Sequence, residues 1–407
     1  MEQTLSSLDD ESDYFRQMEF SLVAAGVQIR TSRPLYLFAF YVYRLIILLH
    51  FSLWYDRFFD NLSDEERLGE LITSLAFCAE FSSLLLRGVV VRIYLSKIRR
   101  VQDYLSERLS DCRYDYRNKT YRLICRIVTT FQIMFFLDML LQFKFVKYQT
   151  FFDMPKNVLQ LGILSTVLGY RVDLVADFFF ATVFTAHLTI VNTYMMAFDV
   201  EMRKIVDALQ SLFGDVEAEI EDTWQKQGLI RTVNSAEELR FLEVLKRKLG
   251  TIVQDHVELL SQLEQLKGFL QVSFMVMFYL QMVTVGGILF YITSQKLTAL
   301  AVVLASYVCV LMLECYWYCK LSDNLNETNN NIGWAVYNLD WPQKLRYHPA
   351  GHRTYREIRT TLLLILVNSQ KSLGINCGGL FEMKTETFAY FLNLCYKCLM
   401  FLPKRTG

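Results

Sequence analysis

Proline and glycine are scarce in this chain, which has five prolines and 17 glycines among 407 residues. Secondary transporters often carry internal repeats and spans broken by glycine or proline in both halves, and neither feature is found in this sequence. The usual catalytic signatures are also missing, including a glycine-rich phosphate loop, HExxH and GxSxG. These absences disfavour a transporter and leave an enzyme without support.

Apolar residues are abundant instead. Hydrophobic residues make up 53% of the chain and aromatic residues 14%, with a mean hydropathy of +0.22. This is too apolar for a soluble protein of this length. The 42 basic residues balance the 42 acidic ones, so nothing suggests a nucleic-acid partner. The composition predicts an all-α polytopic protein of the lipid bilayer.

Seven apolar stretches are the candidate membrane spans. A helix needs about 20 apolar residues to cross the hydrocarbon layer, and the seventh stretch is long enough only for a thin layer or a straight helix. The short run Leu362–Val367 is too short and belongs to a separate polar helix that starts near Tyr355. The predicted spans are Leu35–Trp54, Glu70–Leu95, Tyr121–Phe143, Leu174–Phe198, Gly268–Thr293, Leu297–Lys320 and Phe388–Leu402.

Loop charge gives the orientation, because short cytoplasmic loops retain Lys and Arg. Basic residues concentrate in 97–119, 203–267 and 344–371, whereas the loop at 55–69 is mainly acidic. This pattern predicts a cytoplasmic amino terminus and, with seven spans, an extracellular carboxyl terminus. The resulting segments are 1–34 (cytoplasmic), 35–198 (spans one to four), 199–267 (cytoplasmic helical connection), 268–320 (spans five and six), 321–375 (cytoplasmic loop and helix) and 385–403 (last span).

Cysteine and histidine give no metal site. The pairs Cys315/Cys319 and Cys395/Cys398 lie in apolar helices without a second ligand pair. His348 and His352 are separated by Pro349 and a glycine, which argues against one helical face. We expect no metal and no cofactor.

The second cytoplasmic connection contains an amphipathic helix. Ser235 and Glu238 form a capping box, and apolar residues then recur at helical spacing from Leu239 to Leu263. This predicts a long helix that continues into the fifth span. Its stripe needs a partner, for which Leu362–Val367 is the available candidate; a solvated connector is the alternative.

The carboxyl-terminal residues resemble a known family. The residues that carry the resemblance are, in order, Asn330-Asn331-Ile332-Gly333-Trp334-Ala335-Val336-Tyr337, Trp341, Asn368-Ser369-Gln370, Gly378-Gly379 and Lys384-Thr385-Glu386-Thr387-Phe388. This order is similar to the terminal signature of insect odorant receptors, and the length and inverted orientation extend the resemblance over the whole chain.

The resemblance implies a ligand-gated cation channel that forms a tetramer with coreceptor subunits in the plasma membrane of a sensory dendrite. The chain lacks the ending of the shared coreceptor, so it resembles an odorant-tuning subunit. The ending of gustatory receptors is absent too, although that related channel class remains an alternative. A G-protein-coupled receptor is disfavoured, because the third span lacks its acidic-Arg-Tyr end, the last span lacks Asn-Pro-x-x-Tyr, and the outer loops contain no cysteine.

The family's odorant pocket lies in the outer half of the helix bundle, and its last helix lines the pore. Volatile ligands gain affinity mainly by apolar burial, so we expect aromatic residues of similar depth to line the pocket. The predicted ligand-binding residues are Phe77, Phe81, Met134, Phe135, Asp138, Phe184, His187, Tyr307 and Leu311. The predicted pore-lining residues share one helical face and are Tyr390, Leu394, Lys397 and Phe401.

Ionisable residues within spans are functional candidates, because their desolvation is costly. Arg44 and Glu80 are candidates for a pair across the first two spans. Arg87, Asp177 and Glu314 lie closer to span ends, where we expect them to pair or to extend their charged groups towards water.

Overall fold

The chain folds almost entirely into α-helices. The structure, a computed structural model, describes residues 15–28, 33–62, 68–110, 114–146, 163–227, 235–294 and 298–401. The helices of this part are α1 (Arg16–Ala24), α2 (Pro34–Leu62), α3 (Leu68–Ser110), α4 (Tyr114–Val146), α5 (Ile163–Gln227), α6 (Ser235–Ser294), α7 (Ala299–Tyr337), α8 (Trp341–Lys344), α9 (His352–Ser369) and α10 (Thr385–Phe401). A short 3₁₀ helix (Pro349–Gly351) and strands β1 (Asn376–Cys377) and β2 (Phe381–Glu382) complete it.

Three helical stretches of the described residues have the length and apolar composition to cross a membrane. They are Ser74–Arg108, Glu237–Thr293 and Ala301–Lys344. Each of the other four predicted spans includes residues whose side chains lie outside the described part. The full set of seven spans therefore stays a prediction, while the all-α architecture and the two separate carboxyl-terminal helices, α9 and α10, are confirmed.

The helices divide into two compact units. Unit 1 comprises 1–194, 268–320 and 376–407, and unit 2 comprises 195–267 and 321–375. Three helices, α5, α6 and α7, contribute residues to both units. The assignment of residues 199–267 and 321–375 to the cytoplasm depends on loop charge and stays a prediction.

In unit 1, a small hairpin lies between α6 and α10. Strands β1 and β2 pair antiparallel with Cys377 opposite Phe381, and the intervening Gly378 has a φ of +59°. The Gly378 amide donates to the Gln271 carbonyl of α6 at 3.2 Å. Phe278 of α6 contacts both Phe381 of the hairpin and Phe391 of α10, each with ring centroids 4.7 Å apart. The hairpin and α10 are therefore attached to the same turns of α6.

In unit 2, the described part of α6 begins at Ser235, the first residue of the predicted capping box. Phe241 of α6 stacks on Phe213 of α5, with ring centroids 6.1 Å apart. Lys246 forms an ion pair with Glu357 of α9 at 2.6 Å. The hydrogen bonds from Lys246 and Arg353 lower the pKa of the exposed Glu357 carboxyl. The stripe of α6 thus has α5 as well as α9 for neighbours.

The predicted partner stripe Leu362–Val367 is only half buried. Leu362 and Ile365 of α9 are buried, whereas Leu363, Leu364 and Val367 are exposed. Only one face of this run is therefore available to pack against a neighbouring helix, and its role as the partner of the α6 stripe stays a prediction. The reason for the partial burial is periodicity, because residues 363, 364 and 367 share a helical face that points away from the one containing 358, 362 and 365.

Helices α7 and α9 of unit 2 meet closely at Gly333. A side chain at this position would overlap the Ser369 hydroxyl, which is buried and donates to the Leu366 carbonyl at 3.1 Å. Nearby, the Asn329 amide donates to the carbonyl oxygens of Ser369 and Lys371 at 2.9 and 3.2 Å. Two parts of the carboxyl-terminal signature, Gly333 and Ser369, therefore serve one helix contact.

We predict that Gly333→Ala destabilises the protein, since overpacking a close contact costs about 1–3 kcal/mol. Ser369→Ala should largely restore stability in the double variant, because the added methyl group then meets the Cβ of residue 369 at 3.4 Å and the Leu366 carbonyl oxygen at 3.7 Å, both ordinary van der Waals contacts. Both effects are measured as the melting temperature of detergent-solubilised protein, with size-exclusion chromatography to quantify the protein that stays folded after heating. A Gly333→Ala variant that melts with the wild type would contradict the contact.

Candidate functional site

Three predicted ligand-binding residues form an aromatic cluster in unit 1. Phe135 of α4 stacks on Phe184 of α5, with ring centroids 4.7 Å apart and an interplanar angle of 19°. Tyr307 of α7 meets the edge of Phe135 at 5.9 Å. All three side chains are buried. Residues predicted from their depth along separate spans therefore meet in space, through contacts among three helices.

The remaining predicted ligand-binding residues differ in their surroundings. Phe77, Phe81 and Leu311 are buried and Met134 is half-buried. His187 is buried and belongs to a polar network rather than to the aromatic stack. The side chain of Asp138 lies outside the described part of the chain.

An ion pair lies next to the aromatic cluster. The Arg87 guanidinium of α3 donates to Glu314 of α7 at 2.8 Å, and both side chains are 0% exposed. The guanidinium carbon also lies 5.6 Å from the centre of the Phe184 ring. The sequence allowed these residues either to pair or to extend their charged groups towards water. For Arg87 and Glu314 the structure confirms the pairing, and neither side chain reaches water. The side chain of Asp177 is not in the described part.

Further polar groups converge on the Glu314 carboxylate. Gln281 of α6 donates to Glu314 Oε2 at 2.6 Å, and the Tyr318 hydroxyl donates to Oε1 at 3.0 Å. His187 Nδ1 of α5 lies 3.2 Å from the same Tyr318 hydroxyl. These bonds provide the geometry that a buried carboxylate requires in a medium of low dielectric constant.

Glu80 of α3 belongs to the same region. It is buried, interacts electrostatically with Arg87, and lies near the side chains of Thr284 and Tyr307. The predicted pairing of Glu80 with Arg44 is wrong, since the basic group that acts on the Glu80 carboxyl is Arg87 and neither Glu80 oxygen has a hydrogen bond to Arg44. The Arg44 guanidinium lies 5.8 Å from the ring of Phe40 in its own helix. The prediction assumed that charged residues on spans adjacent in the sequence pair with each other. Glu80 and Arg87 of α3 are instead both buried in the interior of the bundle.

Gln281, Thr284 and Tyr318 were missed by the sequence reasoning. One signal for them was available: Glu314 and Tyr318 are four residues apart on α7, and Gln281 and Thr284 are three apart on α6, so each pair shares a helical face within an apolar span. Which helices face each other could not be read from that spacing.

The predicted pore residues lie on the outward side of α10. Tyr390, Leu394 and Lys397 are exposed, whereas Phe391 and Cys395 on the opposite side are buried. The side chain of Phe401 lies outside the described part. This exposed face is available to water, lipid or another subunit, and its assignment to a pore stays a prediction.

Comparison with solved structures shows the fold. The insect olfactory receptor OR5 from Machilis hrabei in complex with eugenol aligns with a TM-score of 0.70 over 96% of this chain and 99% of that chain, at 14% sequence identity. A second structure of the same receptor aligns with a TM-score of 0.63 over 88% of this chain and 87% of that chain, at 16% identity.

Curated relatives match at low identity over part of their length. Odorant receptor 10 of Aedes albopictus is 23% identical over 163 residues, 40% of both chains. Odorant receptor Or2 of Anopheles gambiae is 24% identical over 119 residues, 29% of each, and Odorant receptor 67a of Drosophila melanogaster is 24% identical over 37% of this chain and 35% of its own. The matches thus span less than half the length of these relatives.

A family model extends much further along the chain. The model of the 7tm odorant receptor family matches residues 67–396, which include every described helix from α3 to α10 except the last five residues of α10. This range contains the aromatic cluster, the Arg87–Glu314 network and the signature residues Asn330 to Phe388. The chain belongs to the 7tm odorant receptor family, the family of insect odorant receptors that its carboxyl-terminal signature predicts.

Proposed function

We propose that this multi-pass membrane protein is an odorant-tuning subunit of a ligand-gated cation channel in the plasma membrane. The observation that carries the proposal is the cluster of Phe135, Phe184 and Tyr307, which joins three helices of unit 1 in a member of the odorant receptor family. An aromatic site of this kind suits a small volatile molecule, because such ligands gain affinity mainly from apolar burial.

The relative that binds eugenol supports a ligand within the helix bundle. That receptor shares the fold of this chain over nearly its whole length. Eugenol is an aromatic molecule with polar oxygen atoms, and the aromatic cluster beside the Arg87 guanidinium offers both kinds of contact. The bundle of unit 1 is therefore the proposed odorant site.

Unit 2 supports assembly with other subunits. Several large apolar side chains on α7 and α9 are exposed there, among them Trp334 and Tyr337, which are 61% and 66% exposed, and the α9 face of Leu363, Leu364 and Val367. Exposed apolar patches of this kind are typical of protein interfaces. We propose that coreceptor subunits cover this face in a tetramer.

The exposed side of α10 supports the proposed pore. This helix has 17 residues, a length of about 26 Å at 1.5 Å per residue, and its buried side is attached to unit 1 through Phe391. Tyr390, Leu394 and Lys397 therefore point away from their own bundle. In a tetramer with a central axis, this face would line the path of cations.

We predict that the chain needs a coreceptor. Cells that express it alone should give little odorant-evoked current, and co-expression with a coreceptor should give robust currents, because the ending of the shared coreceptor is absent here. Whole-cell recording against a panel of volatiles measures the difference, with surface labelling as the control. Robust current from the chain alone would reject the tuning-subunit assignment.

We predict that Phe184→Ala and Tyr307→Ala each weaken odorant sensitivity about tenfold or more, since a buried aromatic side chain contributes about 1.5–3 kcal/mol. Dose-response curves in co-expressing cells measure the shift. Phe136→Ala is the matched control, because Phe136 neighbours Phe135 on α4 but is 47% exposed. If both core variants respond like Phe136→Ala at equal surface expression, the location of the site is wrong.

We predict that Lys397 weakens divalent permeation through its positive charge. Replacing it with Gln and then with Glu should raise the permeability to calcium relative to sodium stepwise, whereas Lys397→Arg should leave it unchanged. Reversal potentials in calcium and sodium solutions, recorded with a coreceptor, measure the ratio. Equal ratios for all four side chains would remove Lys397 from the pore.

A further inference from the structure

The Arg87 guanidinium has more hydrogen-bond donors than the described residues use. An arginine carries five N–H groups. Nη1 donates to Glu314, whereas Nε and Nη2 find no hydrogen-bond partner among the described residues, although the side chain is 0% exposed. Buried donors without a partner are costly, and natural proteins leave few of them. In a bundle with a proposed ligand site, such donors point to a ligand.

The position of the guanidinium favours the same conclusion. Its carbon lies 5.6 Å from the centre of the Phe184 ring, and Phe184 stacks on Phe135. His187, three residues after Phe184 and so on the same side of α5, is also fully buried, and its Nε2 has no partner among the described residues. Polar atoms that lack partners thus adjoin the aromatic cluster at one end.

The charges around Arg87 restrict the ligand that fits. Glu314 already pairs with Arg87, and Glu80 is a second acidic side chain in the same field. An anionic ligand would meet two acidic groups, and a cationic ligand would meet the guanidinium, each without solvent to screen the repulsion. A neutral ligand is therefore favoured, and the unused N–H groups select one with a hydrogen-bond acceptor.

We propose, on the basis of the odorant site proposed above, that Arg87 determines ligand specificity by donating to the oxygen of a neutral carbonyl compound, a ketone, aldehyde or ester. The apolar body of the ligand lies against Phe135, Phe184 and Tyr307, and the carbonyl oxygen accepts from Arg87 Nε or Nη2.

The first experiment compares carbonyl compounds with methylene isosteres in cells that also express a coreceptor. Acetophenone and α-methylstyrene differ only by oxygen against CH₂, and methyl pentyl ketone has an analogous isostere. We expect the carbonyl compound of a pair to be about tenfold or more potent, because a hydrogen bond from a charged donor is among the stronger ones. Equal potency within the pairs, or responses only to alcohols, amines or acids, would overturn the carbonyl assignment while leaving an odorant-gated channel intact.

The second experiment changes Arg87 itself. Lysine can keep the ion pair with Glu314 as a compact charge but lacks the planar fork that presents Nε and Nη2. In Arg87→Lys the potency ratio between carbonyl compound and isostere should fall about tenfold, while the potency of the isostere stays the same. A merely structural role would instead weaken both ligands alike, and an unchanged ratio would also overturn the assignment.

Controls separate this inference from the proposed function and from misfolding. Arg100→Lys alters an exposed arginine on the same helix and should leave the ratio unchanged. If Arg87→Lys fails to reach the cell surface, the double variant Arg87→Gln with Glu314→Gln removes the charged donor without leaving the Glu314 carboxylate unpaired, and it should abolish the preference. If neither variant reaches the surface, the comparison of carbonyl compounds with their isosteres on the wild-type protein decides the question.

A lack of response to every volatile, with normal surface expression beside the coreceptor, would reject the proposed function itself.

Discussion

The contact between Arg87 and Glu314 constrains the arrangement of four helices in unit 1. Each of these side chains would cost several kcal/mol to remove from water, and their attraction offsets that cost only in good geometry. The pair joins α3 to α7, Gln281 brings α6 to the same carboxylate, and Tyr318 extends the network to His187 of α5. A shift of any one helix along its axis would break at least one of these buried hydrogen bonds. One buried carboxylate thus places four helices in register.

The Phe184 ring lies between the polar network and the apolar cluster of the bundle. Phe184 receives the Arg87 guanidinium near its face and stacks on Phe135 of α4, and Tyr307 closes the cluster from α7. Aromatic rings tolerate a cation near the face because their quadrupole is negative there. The proposed odorant site therefore combines one charged end with an apolar body, and this combination, more than volume alone, sets which small molecules fit.

Much of the secondary structure follows from sequence, whereas the contacts between helices do not. The long continuous helix α6 and the separation of α9 from α10 could be predicted from helical periodicity and from run length. Counting depth along the spans also brought Phe135, Phe184 and Tyr307 to a common level. The Arg87–Glu314 pair joins positions 227 residues apart, and helical periodicity contains no information about that contact. The mistaken Arg44–Glu80 pair has the same origin, since sequence neighbours were taken for spatial partners.

The hairpin of β1 and β2 gives α6 a second set of contacts close to the polar network. Phe278, which touches the hairpin at Phe381 and α10 at Phe391, lies three residues before Gln281, which touches Glu314. The Phe278 ring, which contacts α10, and the Gln281 amide, which donates to Glu314, are thus less than one helical turn apart, about 4.5 Å along the axis. A rotation of this turn would alter both contacts at once. A single turn of α6 therefore connects the buried network around Glu314 directly to α10, without an intervening loop.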